Sequence, residues 1–129
     1  MTMKSTIKIL IVEDSDVQRE FLVQIFNSDP VFQIIGTAVN GYNAIKALEK
    51  QKPDAIVMDL HMPKMNGIEF MKAVINVPAV ADIPIVMVTA SGSEDNKREA
   101  REANPRLAGY IVKPYKAETV IETIKPFLK

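Results

Sequence analysis

The chain has 129 residues, of which 47% are hydrophobic and 25% charged, and its 16 basic and 16 acidic side chains balance to a formal net charge of zero. This length and composition fit one globular domain, and the neutral charge offers no electrostatic footprint for nucleic acid or for an anionic membrane. The chain contains no cysteine and one histidine, which excludes disulfides, thiol catalysis, cysteine-ligated zinc and a multi-histidine metal site.

Membrane and targeting signals are absent from the sequence. No apolar run reaches the length of a transmembrane helix, and the polar start Met1–Thr6 lacks the apolar segment of a signal peptide. We therefore expect a soluble, cytoplasmic protein that contacts neither membrane nor nucleic acid directly. Residues 1–129 are expected to form a single domain, with no room for an effector domain unless the chain is a fragment of a longer protein.

The first predicted elements are a buried strand, a helix and a strand of more mixed composition. The apolar run Ile7–Val12 predicts the buried strand. Ser15 and Gln18 have the spacing of a capping box, which predicts that a helix begins there. The apolar face of this helix is expected to comprise Val17, Phe21, Leu22, Ile25 and Phe26. The next run, Phe32–Val39, contains Gly36 and is predicted to lie nearer an edge of the sheet.

The middle of the chain repeats this alternation. A second helix ends before Pro53, and its apolar face is expected to comprise Ala44, Ile45 and Leu48. The aliphatic run Ala55–Met58 predicts another strand that is buried on both faces. The third helix is expected to bury Ile68, Met71, Val74 and Ile75.

The last elements include one unusual helix. After the strand predicted at Ile85–Val88, the segment Ser93–Ala103 has few apolar and many charged residues, so we expect it to pack weakly and to rely on surface side-chain pairs. A fifth strand is predicted at Ala108–Val112. Pro126 should kink or fray the final turn of the last helix, whose apolar face is expected to comprise Ala117, Val120, Ile121, Ile124 and Phe127.

Strands that alternate with helices predict an α/β fold, a (βα)5 parallel sheet with helices on both faces. Functional residues in such sheets gather at the carboxyl ends of the strands. Here four of the five runs end in distinctive polar residues, namely Glu13-Asp14, Asp59, Thr89 and Lys113-Pro114. Three carboxylates, one hydroxyl and one ammonium are therefore predicted to meet at one rim of the sheet.

Three neighbouring carboxylates repel one another and raise each other's pKa, so the fold needs a compensating charge. A divalent cation with oxygen ligands supplies it, and Mg²⁺ is typically held by one or two carboxylates together with phosphate oxygens. Lys113 adds a positive charge for a transferred phosphoryl group, and Thr89 can donate a hydrogen bond to a phosphoryl oxygen. Asp59 can then act as a carboxylate nucleophile and become an aspartyl phosphate.

Each of these residues also has an ordinary structural interpretation when it is taken alone. Asp14 and Thr89 could cap the helices that follow them, Asp59 could be a turn residue, and Lys113-Pro114 could belong to a plain loop. Their joint placement at strand ends on one side of the sheet, with complementary charges, favours the functional interpretation.

Four motifs resemble the receiver domain of two-component response regulators, the CheY-like family. They are ILIVEDSD at 9–16, MDLHMPKMNG at 58–67, VTAS at 88–91 and YIVKP at 110–114, and they occur in the family's order and spacing. The resemblance covers essentially the whole chain. It implies a flavodoxin-like fold with strand order 2-1-3-4-5.

The resemblance also implies roles at a Mg²⁺-dependent phosphorylation site. Asp59 matches the phosphoacceptor, Asp14 the direct metal ligand, and Glu13 an acidic residue that acts through water. The backbone carbonyl of His61 matches the remaining protein ligand, and Lys113 the lysine that pairs with the acceptor or its phosphoryl group. The acidic pair is Glu-Asp here rather than Asp-Asp, so the indirect metal contact is expected to be rearranged.

A second group of implied roles concerns switching and phosphoryl lifetime. Thr89 and Tyr110 match a switch pair, in which Thr89 moves toward the phosphoryl group and Tyr110 turns inward. His61 and Ser91 occupy positions that tune how long the phosphoryl group survives. The Lys113–Pro114 bond is expected to be cis, and Gly67 is expected to adopt a backbone conformation that is closed to most residues.

The resemblance implies a phosphorelay protein that takes a phosphoryl group from a histidine kinase or phosphotransfer protein, catalyses its own phosphorylation and dephosphorylation, and signals to a downstream protein target. The charged fourth helix and the Tyr110 region are the expected output surface. An alternative within the family is a receiver cut from a multidomain protein, such as a chemotaxis methylesterase or a transcription regulator.

Three other classes fit the sequence less well. A phosphohydrolase of the haloacid-dehalogenase type needs a second aspartate two residues after the nucleophile, where this chain has His61. A flavodoxin-like cofactor binder needs a first loop that receives phosphate, whereas Glu13-Asp14 would repel one. A pseudo-receiver that has lost phosphorylation is disfavoured by the complete set of site residues.

Overall fold

The structure, a computed structural model, describes residues 6–60, 65–90 and 92–127. Within these residues, five parallel strands form a sheet in the order β2-β1-β3-β4-β5, as the family resemblance implied. The strands are β1 (Ile7–Val12), β2 (Phe32–Ala38), β3 (Ala55–Met58), β4 (Ile85–Thr89) and β5 (Leu107–Val112). The predicted strand positions are confirmed to within one residue at each end, and β2 lies at an edge as expected.

Helices connect the strands and cover both faces of the sheet. They are α1 (Asp16–Asn27), α2 (Gly41–Lys50), α3 (Gly67–Val74), α4 (Glu94–Ala103) and α5 (Ala117–Ile124). A short 3₁₀ helix, Lys125–Phe127, follows α5 and contains Pro126, in keeping with the predicted distortion of the last turn; the side chain of Phe127 lies outside the described residues. No helix in the described ranges is long and apolar enough to cross a membrane.

The core lies in two layers because successive side chains of a strand point to opposite faces of the sheet. On one face, Leu10 and Val12 pack with apolar side chains of α2, α3 and α4. On the other face, Ile9 and Ile11 pack with those of α1 and α5. The central strands β3 and β4 are buried along their whole length, which explains their aliphatic composition.

The predicted apolar face of α1 is partly wrong. Its C-terminal half is buried as expected, through Leu22, Ile25 and Phe26. Val17 is instead 80% exposed and Phe21 47% exposed. Because each helical residue advances by about 100°, these two side chains point about 130° and about 90° away from the centre of the buried face. Two large apolar side chains of α1 therefore face outward.

The predicted apolar face of α3 differs from the observed one at two residues. Phe70 was not assigned to the apolar face but is completely buried, whereas Ile75 caps the helix and is 39% exposed. The helix packs between α2 and α4, so its buried face is wider than a single helical stripe.

Helix α4 agrees with the prediction of a weakly packed, charged element. It buries only Ala100 and Ala103. Its exposed side carries ion pairs with i,i+3 spacing, Lys97 with Glu94 and Arg98 with Asp95. Small apolar contacts and solvated ion pairs contribute little to stability, which leaves α4 less firmly held than the other helices.

Candidate functional site

The predicted polar residues meet at the carboxyl edge of the sheet. Asp59 directly follows β3, and its backbone amide donates a hydrogen bond of 3.0 Å to the carbonyl of Val12. Lys113 directly follows β5, and its amide donates to the carbonyl of Thr89 at 2.8 Å. The strand pairing thus extends one residue past each strand, which fixes the backbone of both side chains at the edge of a rigid sheet.

Lys113 connects two carboxylates at the centre of the site. Its Nζ lies 3.1 Å from Glu13 Oε1 and 3.5 Å from Asp59 Oδ2. The side chains of these residues are 14%, 1% and 11% exposed, respectively, so the ions are largely removed from water. The expected pairing of Lys113 with Asp59 is present, and the shorter contact to Glu13 is an addition that the motif comparison did not contain.

The three acids form a cluster that suits a divalent cation. Glu13, Asp14 and Asp59 each offer a carboxylate oxygen, and these oxygens lie within 4.8 Å of one another. Glu13 and Asp59 are buried, whereas Asp14 is exposed to solvent. A set of hard oxygen donors with an open side fits Mg²⁺, which keeps part of its water shell when it binds to proteins.

The pKa of the Glu13 carboxyl is raised, mainly because the group is buried. Burial raises the pKa of the Glu13 carboxyl, and the nearby charge of Asp59 raises it further. The hydrogen bonds from Lys113 and from the Ser15 amide act in the opposite direction but do not cancel the rise. The cluster contains three carboxylates and the one ammonium of Lys113, so a bound cation would complete the charge compensation.

The predicted switch residues share one face of the sheet. Thr89 is completely buried at the end of β4. Tyr110 pairs in register with Met87, two residues before Thr89, so both side chains face the layer that contains α4. Tyr110 is partly buried against this layer, and the ammonium of Lys97 on α4 lies 5.9 Å from its ring centroid.

Two predicted residues cannot be placed. His61, assigned to metal binding through its carbonyl and to phosphoryl lifetime, lies outside the described residues, as does Ser91.

The Lys113–Pro114 peptide bond is cis, as expected.

The expected reason why a glycine occupies position 67, an unusual backbone conformation, is wrong. No glycine in the described part of the chain has a positive φ, so an unusual backbone conformation does not explain it. A Cβ at Gly67 would instead lie 2.9 Å from the carbonyl oxygen of Asp59 and 3.1 Å from the Cα of Leu60. The amide of Gly67 also donates to the Leu60 carbonyl at 2.9 Å. Glycine is needed because α3 begins against the backbone of the acceptor residue.

The structure shows an apolar surface beside the site, and two of its residues, Val17 and Phe21, were predicted from the sequence to lie in the core. Val17 and Phe21 of α1 lie beside Pro114 and Tyr115, and these four residues, here called the α1–β5 patch, line a shallow hollow that also contains Lys113. The rings of Phe21 and Tyr115 are 5.8 Å apart. Burial and the charges of the site acids raise the pKa of Tyr115 to about 12. The patch therefore borders the carboxylate site directly.

Arg19 is a second feature that the motifs did not indicate. Its Nη1 donates a hydrogen bond to the backbone carbonyl of Glu13 at 2.9 Å, and its Nη2 pairs with the carboxylate of Asp16. The sequence signal was weak, because an arginine near the start of an exposed helix is usually a surface residue.

Comparisons with known proteins agree on one family. A family model described as the response regulator receiver domain matches residues 9–125. The chain is 49% identical over 89 residues to a protein-glutamate methylesterase/protein-glutamine glutaminase of Nitrosospira multiformis, with coverage of 69% of this chain and 24% of the relative. It is 29% identical over 122 residues to the transcriptional regulatory protein DegU of Brevibacillus brevis, with coverage of 95% and 50%.

A solved structure agrees over nearly the full length. The chemotaxis response regulator CheY4 of Vibrio cholerae superposes with a TM-score of 0.84 and 32% identity, and the match covers 95% of this chain and 99% of that one. The matched region thus spans about a quarter of the methylesterase, half of the transcription regulator and nearly all of the solved CheY4 chain.

Proposed function

Because the chain belongs to the response regulator receiver domain family, we propose that it is a phosphorelay switch in which Asp59 accepts a phosphoryl group from a histidine kinase or phosphotransfer protein. Residues 1–129 form one receiver domain in this proposal. The phosphorylated form changes its binding to a downstream protein target. The chain is a signalling protein that catalyses its own phosphorylation and dephosphorylation, rather than an enzyme that acts on a separate substrate.

The observation that carries this proposal is the contact of Lys113 with both Glu13 and Asp59. The Nζ atom lies 3.1 Å from Glu13 and 3.5 Å from Asp59 in a site that is largely shielded from water. A buried lysine shared by two acids provides a mobile positive charge. It can leave one carboxylate and follow new negative charge that arrives on the other.

The proposed reaction is an in-line phosphoryl transfer. A carboxylate oxygen of Asp59 attacks the phosphorus of a phosphohistidine whose other ring nitrogen carries a proton. A new P–O bond forms, and neutral imidazole leaves with the electron pair of the P–N bond. Lys113 then pairs with a phosphoryl oxygen, and the Thr89 hydroxyl donates a hydrogen bond to another. Water then attacks the phosphorus, the P–O bond to Asp59 breaks, and inorganic phosphate and the free Asp59 carboxylate are released. His61 and Ser91 are proposed to set the rate of this step.

Mg²⁺ is the proposed cofactor. The donor set for it comprises Glu13, Asp14 and Asp59, with the backbone carbonyl of His61 as a further ligand. Direct contact is proposed for Asp14 and contact through water for Glu13. When bound, the cation supplies positive charge that offsets the acids and the phosphoryl oxygens. The close approach of the three carboxylates and the raised pKa of Glu13 support this assignment.

Signal output is proposed to run through Thr89 and Tyr110. Movement of the Thr89 side chain toward the phosphoryl group would vacate space on the face that it shares with Tyr110. The Tyr110 ring would turn inward to fill this space, leaving Lys97 and changing the surface of α4. The limited burial of α4 supports such a movement, because weakly packed elements can shift at low cost.

The phosphodonor is proposed to dock on the α1–β5 patch. A donor imidazole must reach Asp59, and this patch is an exposed apolar surface whose hollow also contains Lys113 of the site. Covering it with a partner protein would bury Val17 and Phe21 and exclude water from the transfer.

Incubation with acetyl phosphate and Mg²⁺, followed by intact-mass measurement, tests the central proposal. We expect one added phosphoryl group on the wild-type chain and none on Asp59→Asn. The adduct should disappear when EDTA replaces Mg²⁺. If no phosphodonor gives an adduct although Mg²⁺ binds normally, the proposed function is refuted.

A second candidate function is the receiver part of a multidomain regulator, either a methylesterase or a transcription factor. The similarity to the Nitrosospira multiformis and Brevibacillus brevis proteins supports this candidate, since the chain spans only 24% and 50% of their lengths. The length of the natural gene product distinguishes the candidates. Phosphorylation of Asp59 is common to both, so the mass experiment tests either one.

A further inference from the structure

We infer that Arg19 is a positioning residue, whose guanidinium fixes the Glu13–Asp14 segment in the geometry that binds a divalent cation. This inference rests on the proposed function, because it concerns the same acidic cluster. It extends that function to the side chain of Arg19 on α1. The role assigned to Arg19 is to hold a peptide unit, not to touch the reacting atoms.

The contacts of Arg19 join the helix to the acidic segment. Nη1 donates to the carbonyl oxygen of Glu13 at 2.9 Å, while Nη2 pairs with the carboxylate of Asp16. The arginine side chain is only 21% exposed, whereas that of Asp16 is 90% exposed. A planar guanidinium can make both contacts at once with little freedom left, which a lysine ammonium cannot do as well.

The carbonyl of Glu13 needs this donor because it lies just past the end of strand pairing. The amide of Glu13 still donates to the carbonyl of Ala38 at 2.9 Å, and the preceding carbonyl, that of Val12, accepts from Asp59. Glu13 is 1% exposed, so its carbonyl oxygen has little access to water. A buried carbonyl that loses its donor is costly, and the peptide would turn to find another one.

The same peptide unit determines where Asp14 lies. Asp14 is exposed, so its position depends mainly on the path of the backbone. On the other side of the peptide, Glu13 Oε2 accepts a hydrogen bond from the Ser15 amide at 3.2 Å. Arg19 therefore completes a set of contacts that orient both members of the acidic pair. Groups that orient metal ligands strongly affect metal affinity.

If Arg19 acts by positioning the acidic pair, its replacement should change the Mg²⁺ affinity in the opposite direction from that expected if only its positive charge matters. A positive side chain near a cation site repels the cation, so its removal should strengthen Mg²⁺ binding if charge alone matters. If Arg19 acts by positioning, its removal should weaken Mg²⁺ binding despite the loss of repulsion. The sign of the change in affinity thus separates the two roles.

The test is an NMR titration with Mg²⁺, in the absence of any phosphodonor, of the wild-type chain, Arg19→Gln and Arg19→Lys. We expect Arg19→Gln to raise the Kd for Mg²⁺ roughly tenfold, as is usual for groups that orient metal ligands. Arg19→Lys keeps the charge and one donor, so its Kd should fall between the two. A Kd that is unchanged or lower in Arg19→Gln would overturn the inference.

Arg98→Gln is the matched control. Arg98 forms the same i,i+3 ion pair, with Asp95 on α4, whereas the second contact of Arg19, to the carbonyl of Glu13, lies in the acidic cluster. Its replacement should leave the Kd for Mg²⁺ unchanged. Urea unfolding in EDTA should show similar stability for both glutamine variants, so a general loss of structure would be recognised; Arg19→Lys serves if Arg19→Gln does not fold.

The outcome is distinguishable from failure of the proposed function. If the wild-type chain binds Mg²⁺ but gains no phosphoryl group, the proposed function fails while the Arg19 effect on affinity can still be observed. If phosphorylation occurs but Arg19→Gln binds Mg²⁺ as the wild type does, only the inference about Arg19 fails.

Discussion

Glu13 and Lys113, 100 positions apart in the sequence, form an ion pair with 3.1 Å between Oε1 and Nζ. The carboxylate is almost completely buried and the ammonium nearly so. The pair joins the first strand to the last across β3 and β4, because the strand order brings their carboxyl ends to one rim. This ion pair therefore helps to hold the two ends of the sheet together, in addition to its proposed role in phosphoryl transfer.

Replacing Lys113 by methionine should destabilise the metal-free protein. Removing one partner of a buried ion pair leaves the other uncompensated, and since Lys113 keeps some exposure we expect a loss of about 2 kcal/mol. Urea unfolding in EDTA measures this loss. Mg²⁺ should reduce it, because the cation supplies the missing charge.

Mg²⁺ should still bind to the Lys113→Met variant, since no carboxylate is removed. The signal, measured as phosphorylation-dependent binding to a partner, should be weak. Normal partner switching by this variant would refute the role proposed for Lys113. Lys125→Met, which removes a surface ion pair with Asp29, provides a control for the loss of a lysine.

The stability of the metal-free protein should depend on pH through Glu13. Its folded-state pKa is raised, so the folded state binds more protons than the unfolded state between the two pKa values. This contribution to stability is fully present below the unfolded-state value of 4.5 and is lost as pH rises through the folded-state pKa. Comparison of urea unfolding from pH 4 to 8 in EDTA should show a shallower decline for Glu13→Gln than for the wild type.

The proposed docking role of the α1–β5 patch predicts a selective defect in Val17→Asp. Val17 is 80% exposed, so the substitution should scarcely affect folding. Transfer from a phosphorylated histidine kinase or phosphotransfer protein should slow by roughly tenfold, the effect of losing an interface anchor. Phosphorylation by acetyl phosphate should remain normal because no docking is needed.

Val77→Asp is the control for Val17→Asp. Val77 is 47% exposed and lies after α3, away from the patch residues. The same change of charge there should leave transfer from the kinase unaffected. Equal slowing by the two substitutions would point to a general charge effect and would contradict the docking proposal.

Gly67→Ala should destabilise the protein by about 1–3 kcal/mol, the range for overpacking a fixed core. The new Cβ would press on the carbonyl of Asp59 and the Cα of Leu60, which are backbone atoms that cannot move aside easily. Gly36→Ala is the control, since its Cβ would make an ordinary 3.6 Å contact with the side chain of Leu10. Urea unfolding should show a much smaller change for it.

The switch proposal predicts that Thr89→Val uncouples phosphorylation from movement of Tyr110. Valine keeps the shape but not the hydroxyl, so phosphorylation by acetyl phosphate should persist. The chain contains three tyrosines, and fluorotyrosine labelling with ¹⁹F NMR can follow them, with Tyr110→Phe to assign the signal. The Tyr110 signal should shift on phosphorylation of the wild type and stay in place in Thr89→Val.

Local pattern predicted the parallel (βα)5 arrangement, whereas the strand order came from the family resemblance. The aliphatic runs predicted the central strands, because strands that are buried on both faces consist almost entirely of apolar residues. The charged composition of 93–103 likewise predicted the weak packing of α4. The motifs at strand ends predicted the meeting of Glu13, Asp59 and Lys113, since parallel strands bring their carboxyl ends to the same edge.

Only the tertiary structure decided which apolar side chains of a helix are covered and which donors reach the site. Val17 and Phe21 are as apolar as Leu22, but the sheet covers one side of α1 and leaves them outside. The contact of Arg19 with the Glu13 carbonyl, and the closer approach of Lys113 to Glu13 than to Asp59, follow from the path of the chain in space. Residue type determined which chemistry was available, while packing determined which atoms came within reach of one another.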